Sequence, residues 1–479
     1  MSREASHYPR GRSAPGRSQP FLIPDLCKAC GLCIDACPKS CIRFGETLSP
    51  TTGLCPVELD LEACNACGLC LSACPEPFGL MPRPPDADPD WQPVIGELFA
   101  EPTHTPTADD QPPTRLPLPE LGPQVLKGTH ASAVGAMLAG CRHFFGYPIT
   151  PSTEGAELMA RCLPQLGGHF VQAVSEVAAV NMMYGCGGAG LPTLTFTSSP
   201  GFSLMLEGIS YMIGSEVPGV FVNIMRGGPG LGNIGPEQSD VKLVCRGLGH
   251  GNTHAIVLAP ATPQEMLDLT MKAFELSFTY RNPVIVAGDG TLGQITGQVR
   301  LPDAALRPGL PAWSVWGDAA HQHNLVCSIR LSEQDLEAHN EHLEAKYAAM
   351  TVAEQRAELS ATNDADWLLV ACNTPARMAL GAAHELRAQG IRAGLFRPIT
   401  LWPFPIETLT PVLERVQGVV MVEAGPGQLE DELRLAVSHA RAELPPISRI
   451  RHLGGILPAR AEIVDHVRRL DEEATHAHH

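Results

Sequence analysis

The sequence has no long hydrophobic run and only a minority of basic residues. No apolar stretch approaches the ~18 residues that indicate a membrane-spanning helix, which excludes an integral membrane protein. The 34 lysines and arginines stand against 51 acidic residues, a net charge of −17. A nucleic-acid-binding surface needs a basic excess to follow phosphates, so nucleic-acid partners are excluded as well. No secretory hydrophobic region follows the arginine-rich start, and we expect a cytoplasmic protein with a disordered leader at residues 1–20.

Cysteine is scarce over most of the chain and concentrated near its start. Ten of the sixteen cysteines lie before residue 75, which indicates metal thiolates in a reducing compartment. Two near-identical runs contain most of them: Cys27-Lys-Ala-Cys30-Gly-Leu-Cys33-Ile-Asp-Ala-Cys37-Pro and Cys64-Asn-Ala-Cys67-Gly-Leu-Cys70-Leu-Ser-Ala-Cys74-Pro. Both read C-x2-C-x2-C-x3-C-P, the bacterial ferredoxin spacing, in which the fourth cysteine ligates the other cluster.

The two runs therefore predict a ferredoxin-like domain at residues 21–80 with two [4Fe-4S] clusters. One cluster would be held by Cys27, Cys30, Cys33 and Cys74, and the other by Cys64, Cys67, Cys70 and Cys37. A zinc site or a disulfide framework explains the duplication poorly, because zinc needs only four ligands. Cys41 and Cys55 lie outside both runs, and we expect them to be small buried hydrophobic residues.

The rest of the chain predicts a linker and two α/β domains. Residues 81–123 are rich in proline and are predicted to be extended. Short β-branched runs alternate with helical periodicity over 124–300 and again, in a smaller unit, over 361–460, which predicts parallel sheets covered on both faces. Residues 301–360 connect these domains through a charged helix at 333–359, and 461–479 form a C-terminal helix and tail ending in His476, His478 and His479. Predicted strands are 142–145, 193–197, 219–225, 255–258, 283–287, 367–372, 393–396 and 418–423.

Functional residues in a parallel sheet gather at the carboxyl ends of its strands. Four polar segments follow predicted strands, at residues 147–150, 197–201, 226–235 and 288–290.

A lone carboxylate, Glu176, also opens a helix in an apolar run. Glu176 is either a first-turn charge that favours the helix dipole or a functional group. Arg226 is either a clamp on backbone carbonyls or a bidentate ligand for a substrate carboxylate.

Two glycine motifs are incomplete. Gly230-Leu-Gly232-Asn-Ile-Gly235 matches the dinucleotide fingerprint, but 249–258 lacks the acidic residue that would hold the ribose. This absence disfavours an NAD-linked dehydrogenase.

Gly288-Asp289-Gly290 resembles the start of the magnesium motif of thiamine-diphosphate enzymes, but the next asparagine, Asn324, is too distant. If thiamine diphosphate is present, another chain must hold its magnesium ion.

Together these residues resemble the alpha subunit of a 2-oxoacid:ferredoxin oxidoreductase. The resemblance covers residues 124–460, with the cluster domain, often a separate subunit in this family, fused in front. It departs from the family at Thr129-His130, where an asparagine and an acid are common. The loop after Arg226 is most similar to the branched-chain (3-methyl-2-oxobutanoate) members, with 2-oxoglutarate or pyruvate as alternative substrates. The matching motifs are Tyr147-Pro-Ile-Thr150-Pro-Ser, Ser175-Glu176-Val-Ala-Ala, Thr197-Ser-Ser-Pro-Gly201, Met225-Arg-Gly-Gly-Pro-Gly-Leu-Gly232-Asn-Ile, Gly249-His250-Gly and Asn282-Pro-Val-Ile-Val-Ala-Gly-Asp-Gly290.

The resemblance implies a pyrimidine-binding domain at 124–300 and a transketolase-C-like domain at 361–460. Thiamine diphosphate would lie between this chain and a beta subunit that holds the Mg²⁺. Glu176 would hydrogen-bond the aminopyrimidine ring, and Thr150 and Arg226 would orient the carboxylate of the 2-oxoacid. The remaining implied cofactor contacts are Tyr147, Pro148, Ile149, Ser199, Gly227 and Gly228.

The same resemblance implies the partners. Electrons would leave through the two clusters to ferredoxin, coenzyme A would take the acyl group, and a gamma subunit is a further candidate partner. A different class of function stays open at this point: a two-cluster electron-transfer module whose α/β part is only a docking scaffold.

Overall fold

The structure, a computed structural model, describes residues 18–49, 53–75, 79–83 and 114–477. Most of the predicted leader (1–17), most of the predicted linker (84–113), and His478 and His479 of the predicted tail lie outside the described residues. The chain forms two compact units, one within residues 1–103 and one within 104–479. Among the helices of the described ranges, none is long and apolar enough to cross a membrane.

The first unit repeats one short pattern twice. In each half a glycine with positive φ, Gly31 at 77° and Gly68 at 78°, turns the chain after two cysteines into a five-residue helix. The elements are β1 (Pro20–Leu22), α1 (Leu32–Ala36), β2 (Ile42–Phe44), β3 (Val57–Leu59), α2 (Leu69–Ala73) and β4 (Leu80–Pro82). Strand β1 pairs antiparallel with β4, and β2 with β3. The small core is built from Cys33, Cys41, Ile42, Val57, Cys70 and Leu80.

The second unit begins with a large α/β domain. Its elements are β5 (Thr114–Pro117), β6 (Gln124–Lys127), α3 (Gly128–Leu138), β7 (His143–Gly146), α4 (Thr153–Cys162), β8 (His169–Gln172), α5 (Glu176–Gly188), β9 (Thr193–Thr197), α6 (Ser199–Gly214), β10 (Gly219–Met225), α7 (Val241–Arg246), β11 (Ile256–Leu258), α8 (Pro263–Tyr280), β12 (Pro283–Asp289), α9 (Gly290–Gln294), β13 (Thr296–Val299) and β14 (Ala304–Arg307). Two small antiparallel pairs, β5 with β14 and β6 with β13, lie outside the main sheet.

The main sheet has seven strands in the order β18-β11-β12-β10-β9-β7-β8, of which β18 (Thr400–Trp402) comes from later in the chain. All neighbours from β11 to β8 are parallel, and every residue of the two central strands β10 and β12 is buried. Burial on both faces requires helices on both sides of the sheet. The packing is close: a Cβ on Gly135 of α3 would lie 2.5 Å from the backbone oxygen of Leu267 on α8. The predicted α/β class with a covered parallel sheet is confirmed.

A smaller α/β domain follows. Its elements are α10 (Glu333–Ala353), β15 (Ala357–Ser360), β16 (Trp367–Val370), α11 (Asn373–Ala388), β17 (Ala393–Pro398), β18 (Thr400–Trp402), α12 (Ile406–Leu413), β19 (Gly418–Glu423), α13 (Gln428–Ala440), β20 (Ile447–Arg451) and α14 (Arg460–Ala477). Five of the strands form a second sheet in the order β15-β17-β16-β19-β20. Strand β18 instead joins the edge of the main sheet, antiparallel to β11. The smaller domain therefore supplies the outermost strand of the main sheet.

The predicted charged helix is too long by several residues. It begins at Glu333 as predicted but ends at Ala353, because Ala357–Ser360 pairs with β17 as an antiparallel edge strand. Arg356 lies in the turn between α10 and β15. Its backbone N–H donates to Thr400 Oγ1 at 2.9 Å, which holds this turn in place. Long-range pairing thus overrides the local helical periodicity. His476, predicted in the tail, lies in the last turn of α14.

Candidate active site and cluster residues

The carboxyl ends of four neighbouring strands, β10, β9, β7 and β8, form one edge of the main sheet. The predicted segments 147–150, 197–201 and 226–235 leave this edge after β7, β9 and β10, and Glu176 follows β8 after a short turn. Sequence patterns did not indicate β8, which has only four residues and is half exposed. The sheet therefore brings the predicted catalytic residues to one place, and β8 is the element that delivers Glu176.

The turn after β7 is exposed at the surface and fixed by hydrogen bonds. Ser152 Oγ donates to the Ile149 carbonyl at 2.7 Å, and Gln294 Nε2 donates to the Pro151 carbonyl at 3.0 Å. Tyr147, at 42% exposure, and its neighbours Pro148 and Thr150 are open to solvent. The turn is thus rigid while its outer side chains remain free to meet a ligand or a partner.

Glu176 is a buried carboxylate at the first position of α5. Ser175 caps this helix by accepting the N–H of Ala178 at 3.2 Å. The Glu176 side chain is 6% exposed, and within the described chain no group donates a hydrogen bond to it. Only the positive end of the helix dipole favours its charge. The Glu176 carboxylate is therefore free to accept a hydrogen bond from a group outside the described chain.

Glycine 201 makes room for this carboxylate. A Cβ at Gly201 would lie 2.6 Å from Glu176 Oε1 and 2.4 Å from Thr197 Oγ1. The hydroxyls of Thr197 and Ser198 are also buried, and neither has a hydrogen-bond partner in the described chain. The end of β9 and the start of α5 thus bring Thr197 Oγ1 and the Glu176 carboxylate to the same small space beside Gly201.

Arg226 links the turn after β7 to the loop after β10. One guanidinium N–H donates to the Thr150 carbonyl at 2.6 Å, and another to the Leu231 carbonyl at 3.2 Å. The side chain is 8% exposed and its Nε has no partner among the described residues. Arg226 therefore acts as a clamp on carbonyls in this structure, and these two bonds use only two of its five side-chain N–H groups.

The glycine loop, residues 226–235, folds back on itself. The Gly227 N–H donates to the Gly235 carbonyl at 3.0 Å, and the Asn233 N–H to the Gly227 carbonyl at 3.1 Å. At Gly232, with φ of 52°, a Cβ would lie 1.8 Å from the Gly227 oxygen. The next helix begins only at Val241 and has six residues. The loop therefore does not deliver a phosphate to a helix N-terminus, as a dinucleotide fingerprint would.

Ser199, predicted as a cofactor contact, uses its hydroxyl within the protein. Its Oγ donates to Asp240 Oδ2 at 2.6 Å and accepts the N–H of Arg226 at 3.0 Å. Asp240 also accepts from Asn223 Nδ2 at 2.9 Å, and burial raises the pKa of Asp240. Sequence reasoning missed Asp240, because no motif marks it and its partners lie on β10 and α6.

The carboxylate of Asp289, in the incomplete magnesium motif, forms hydrogen bonds within the chain. It is fully buried and accepts from the Leu292 N–H at 2.9 Å, from the Thr374 N–H at 2.8 Å and from Thr374 Oγ1 at 2.8 Å. Burial raises the pKa of Asp289. The carboxylate thus caps α9 and ties the two α/β domains together, which leaves it unavailable to a metal ion.

Replacing Asp289 should destabilise the second unit. In an Asp289→Ala chain three buried donors lose their acceptor, and we expect a loss of roughly 3 kcal/mol or more in the free energy of unfolding. Urea or thermal unfolding of the purified chain measures this effect. Asp465→Ala, at a side chain 67% exposed, is the control and should change little. Equal stability of the two variants would contradict the role assigned to Asp289.

The cysteines of the first unit gather in the two predicted sets. Burial and the nearby thiols of Cys27, Cys74 and Cys30 raise the pKa of Cys33. Burial and the thiols of Cys64, Cys67 and Cys37 raise the pKa of Cys70 to about 11. Each set thus contains three cysteines of one run and the last cysteine of the other. A small cavity under Leu22 and Leu80 is lined by Cys27, Cys30, Cys33 and Cys74.

This donor arrangement suits [4Fe-4S] clusters. Thiols gathered in this way can bind as thiolates when the iron of a cluster supplies positive charge between them. Cys41 is buried as predicted, whereas Cys55, for which burial was also predicted, is only half-buried. The Sγ of Cys41 lies 3.2 Å from Cys37 Sγ, so Cys41 contacts the second set. No sequence pattern indicated this contact, because Cys41 lies outside both repeats.

Three family profiles match the chain. Residues 134–361 match "Pyruvate flavodoxin/ferredoxin oxidoreductase, thiamine diP-bdg". Residues 365–463 match "Pyruvate:ferredoxin oxidoreductase core domain II", and residues 26–77 match "4Fe-4S dicluster domain". The dicluster match bears out the two predicted [4Fe-4S] clusters, and the first match bears out thiamine diphosphate as a cofactor.

Curated relatives and one solved structure are similar over most of the chain. Ketoisovalerate oxidoreductase subunit VorB of Methanothermobacter marburgensis is 44% identical over 353 residues, 73% of this chain and 99% of that protein. 2-Oxoglutarate synthase subunit KorA of Methanothermobacter thermautotrophicus is 32% identical over 378 residues, 72% of this chain and 98% of that protein. The structure is 2-oxoglutarate:ferredoxin oxidoreductase from Magnetococcus marinus with 2-oxoglutarate, coenzyme A and succinyl-CoA bound. It matches with a TM-score of 0.66 and 27% identity, over 72% of this chain and 65% of that one, just under two thirds.

Proposed function

This chain belongs to the 2-oxoacid:ferredoxin oxidoreductase family, and we propose that it is the alpha subunit of an enzyme for 3-methyl-2-oxobutanoate or a related branched-chain acid. The family reaction is oxidative decarboxylation dependent on thiamine diphosphate and coenzyme A. The 2-oxoacid and coenzyme A become acyl-coenzyme A, carbon dioxide and a proton. Ferredoxin accepts the released electron pair one electron at a time.

The residues of the glycine loop favour a substrate with an apolar side chain. Its one basic residue is Arg226, and its outward side chains, Leu231 at 81% exposure and Ile234 at 62%, are apolar. A second carboxylate, as in 2-oxoglutarate, would need a second cation near the first. The relative named for ketoisovalerate is also more similar than the one named for 2-oxoglutarate, 44% against 32% identity.

The single observation that carries the catalytic proposal is the buried, donor-free carboxylate of Glu176. Thiamine diphosphate, when bound, supplies the nucleophilic carbon and the electron sink for decarboxylation. Glu176 would form a hydrogen bond with the aminopyrimidine ring nitrogen of the cofactor and share a proton with it.

Thr150 and Arg226 would hold the carboxylate of the 2-oxoacid. The Thr150 side chain is exposed beside the guanidinium that already binds its carbonyl, so a hydroxyl donor and free guanidinium donors lie at the same turn. Tyr147, Pro148 and Ile149 would form the adjoining wall, with the backbone of Gly227 and Gly228 opposite. For Ser199 we propose a supporting role, since its hydroxyl is bound to Asp240.

A beta subunit would complete the site. Asp289 is committed to the fold, so the magnesium ion of the cofactor must be held by another chain. Apolar side chains surround the site, with Val174 at 87% and Val177 at 45% exposure on either side of Glu176. We propose that a subunit carrying the magnesium motif covers this surface.

Substrate profiling of the complex with its beta partner tests the proposed function. We expect coenzyme A-dependent reduction of methyl viologen with kcat/KM at least about tenfold higher for 3-methyl-2-oxobutanoate than for 2-oxoglutarate. Pyruvate should be poorer, and NAD should not be reduced. A preference for 2-oxoglutarate would overturn the substrate assignment, and cluster reduction without any response to 2-oxoacids would overturn the enzymatic one.

An Arg226→Lys complex should bind the 2-oxoacid more weakly. Lysine keeps the charge but loses the planar fork, and we expect KM to rise about 10- to 100-fold with a smaller change in kcat. Steady-state kinetics with 3-methyl-2-oxobutanoate measure both constants. Arg161→Lys, on a side chain 73% exposed, is the control. An unchanged KM in the Arg226 variant would exclude this arginine from substrate binding.

A further inference from the structure

A second loop lies against the glycine loop and comes from the smaller α/β domain. This covering loop, residues 452–456, leaves strand β20 and leads towards α14. Gly454 and Gly455 have φ of 68° and 90°, which turns the chain sharply. Leu453 and Ile456 are 56% and 59% exposed, so the loop is held by its backbone and not by burial of these side chains.

The two loops touch backbone to backbone. A Cβ on Gly235 would lie 2.8 Å from the Cα of Gly455, and a Cβ on Gly455 would lie 2.9 Å from the Cα of Gly235. Asn233 Nδ2 donates to the Gly454 carbonyl at 2.9 Å, while Asn233 Oδ1 accepts the N–H of Gly235 at 2.9 Å. One asparagine side chain therefore fixes its own loop and the covering loop together.

Glu237 forms a second connection beneath the loops. Its Oε2 accepts the N–H of Gly454 at 3.2 Å, and the side chain is 4% exposed. Burial raises the pKa of Glu237, and the hydrogen bond from Gly454 partly offsets this rise. The carboxylate thus accepts a hydrogen bond from Gly454 of the covering loop, and its Oε2 also lies against the glycine loop, 3.0 Å from where a Cβ at Gly227 would be. No sequence motif indicates this role, since Glu237 and Gly454 are 217 residues apart.

These contacts lead to Arg226 through the loop itself. Arg226 donates to the carbonyl of Leu231, which lies in the glycine loop between Gly228 and Asn233. A shift of the loop would therefore move an acceptor that orients the guanidinium. Small displacements of a positioning group, about 1 Å, are enough to lower rates or affinities strongly.

We propose that Asn233 and Glu237 are positioning residues that use the covering loop of the smaller domain to fix Arg226 for the 2-oxoacid carboxylate. This inference rests on the proposed function, because it assigns the consequence to substrate binding. Neither residue touches the substrate. The smaller domain would thereby set the affinity for the 2-oxoacid without supplying a side chain that contacts it.

Two conservative variants of the whole complex test the inference. Asn233→Asp keeps the acceptor for Gly235 but places an oxygen against the Gly454 carbonyl, and Glu237→Gln keeps the shape while removing one acceptor. We expect KM for 3-methyl-2-oxobutanoate to rise about tenfold in each, with kcat within about threefold of wild type. The matched control is Arg246→Gln, which removes a different contact between the domains, the Arg246–Glu432 ion pair at 2.9 Å. It should leave KM unchanged.

The outcomes separate this inference from the function on which it rests. Unchanged KM in both variants, together with a raised KM in Arg226→Lys, overturns the positioning role and leaves the proposed function intact. An equal rise in the Arg246→Gln control also overturns it, because any loosening of the domains would then act alike. Absence of 2-oxoacid oxidation in the wild-type complex overturns both. If one variant fails to fold, as judged by its melting temperature, the KM of the other decides.

Discussion

A Glu176→Gln chain, assembled with its beta partner, is expected to fold, to bind its clusters and to lose at least about 100-fold in 2-oxoacid oxidation. Glutamine keeps the size of the side chain but cannot hold a proton at a carboxylate. The rate of coenzyme A-dependent viologen reduction measures the loss, and the cluster absorbance shows that the electron path is intact. The effect should appear in kcat, since the substrate contacts are unchanged.

The matched control is Glu407→Gln, at the first turn of α12. If Glu176 only balanced a helix dipole, both variants would lose about 0.3–1 kcal/mol of stability and keep their activity. We expect that pattern for Glu407 alone. Activity near that of wild type in the Glu176→Gln complex would show that this carboxylate has no catalytic role.

Cysteine substitutions should remove iron in a crossed pattern. With eight ligands in two sets, we expect about eight iron atoms per chain after anaerobic preparation, and about four after Cys33→Ala. The double variant Cys33→Ala/Cys74→Ala should also keep about four, since both residues serve one cluster. Cys33→Ala/Cys70→Ala should lose nearly all iron, because it disrupts both sets.

Iron content and low-temperature EPR spectra of the reduced protein measure these differences. Cys55→Ala, outside both sets, is the control and should keep both clusters. If Cys74 instead belonged with Cys64, Cys67 and Cys70, the pair Cys33→Ala/Cys74→Ala would lose both clusters and contradict the crossed assignment.

Much of the fold could be read from local patterns. The strands at 193–197, 219–225 and 418–423 have the predicted bounds, because each is a continuous β-branched or apolar run buried on both faces. Strand β8 was missed, since a short, half-exposed edge strand gives no such signal. The end of the charged helix was wrong because β15 is decided by its pairing with β17.

The sequence motifs of the site could be predicted, but the hydrogen bonds that hold its residues in place could not. Residues beside strand ends, such as Glu176 and Arg226, could be placed together because parallel strands share a carboxyl edge. The contacts that fix them could not: Ser199–Asp240 spans 41 residues, and Asn233–Gly454 spans 221. Such hydrogen bonds depend on how distant parts of the chain pack together, and composition and periodicity carry no information on that packing.

A structure of the assembled complex with thiamine diphosphate bound measures the central claim most directly. We predict that the Glu176 carboxylate lies within hydrogen-bond distance of a ring nitrogen of the aminopyrimidine, at the edge formed by β7, β8 and β9. A carboxylate that instead stays packed against its own sheet, with the cofactor elsewhere, would contradict the catalytic role and leave this chain as a carrier of electrons.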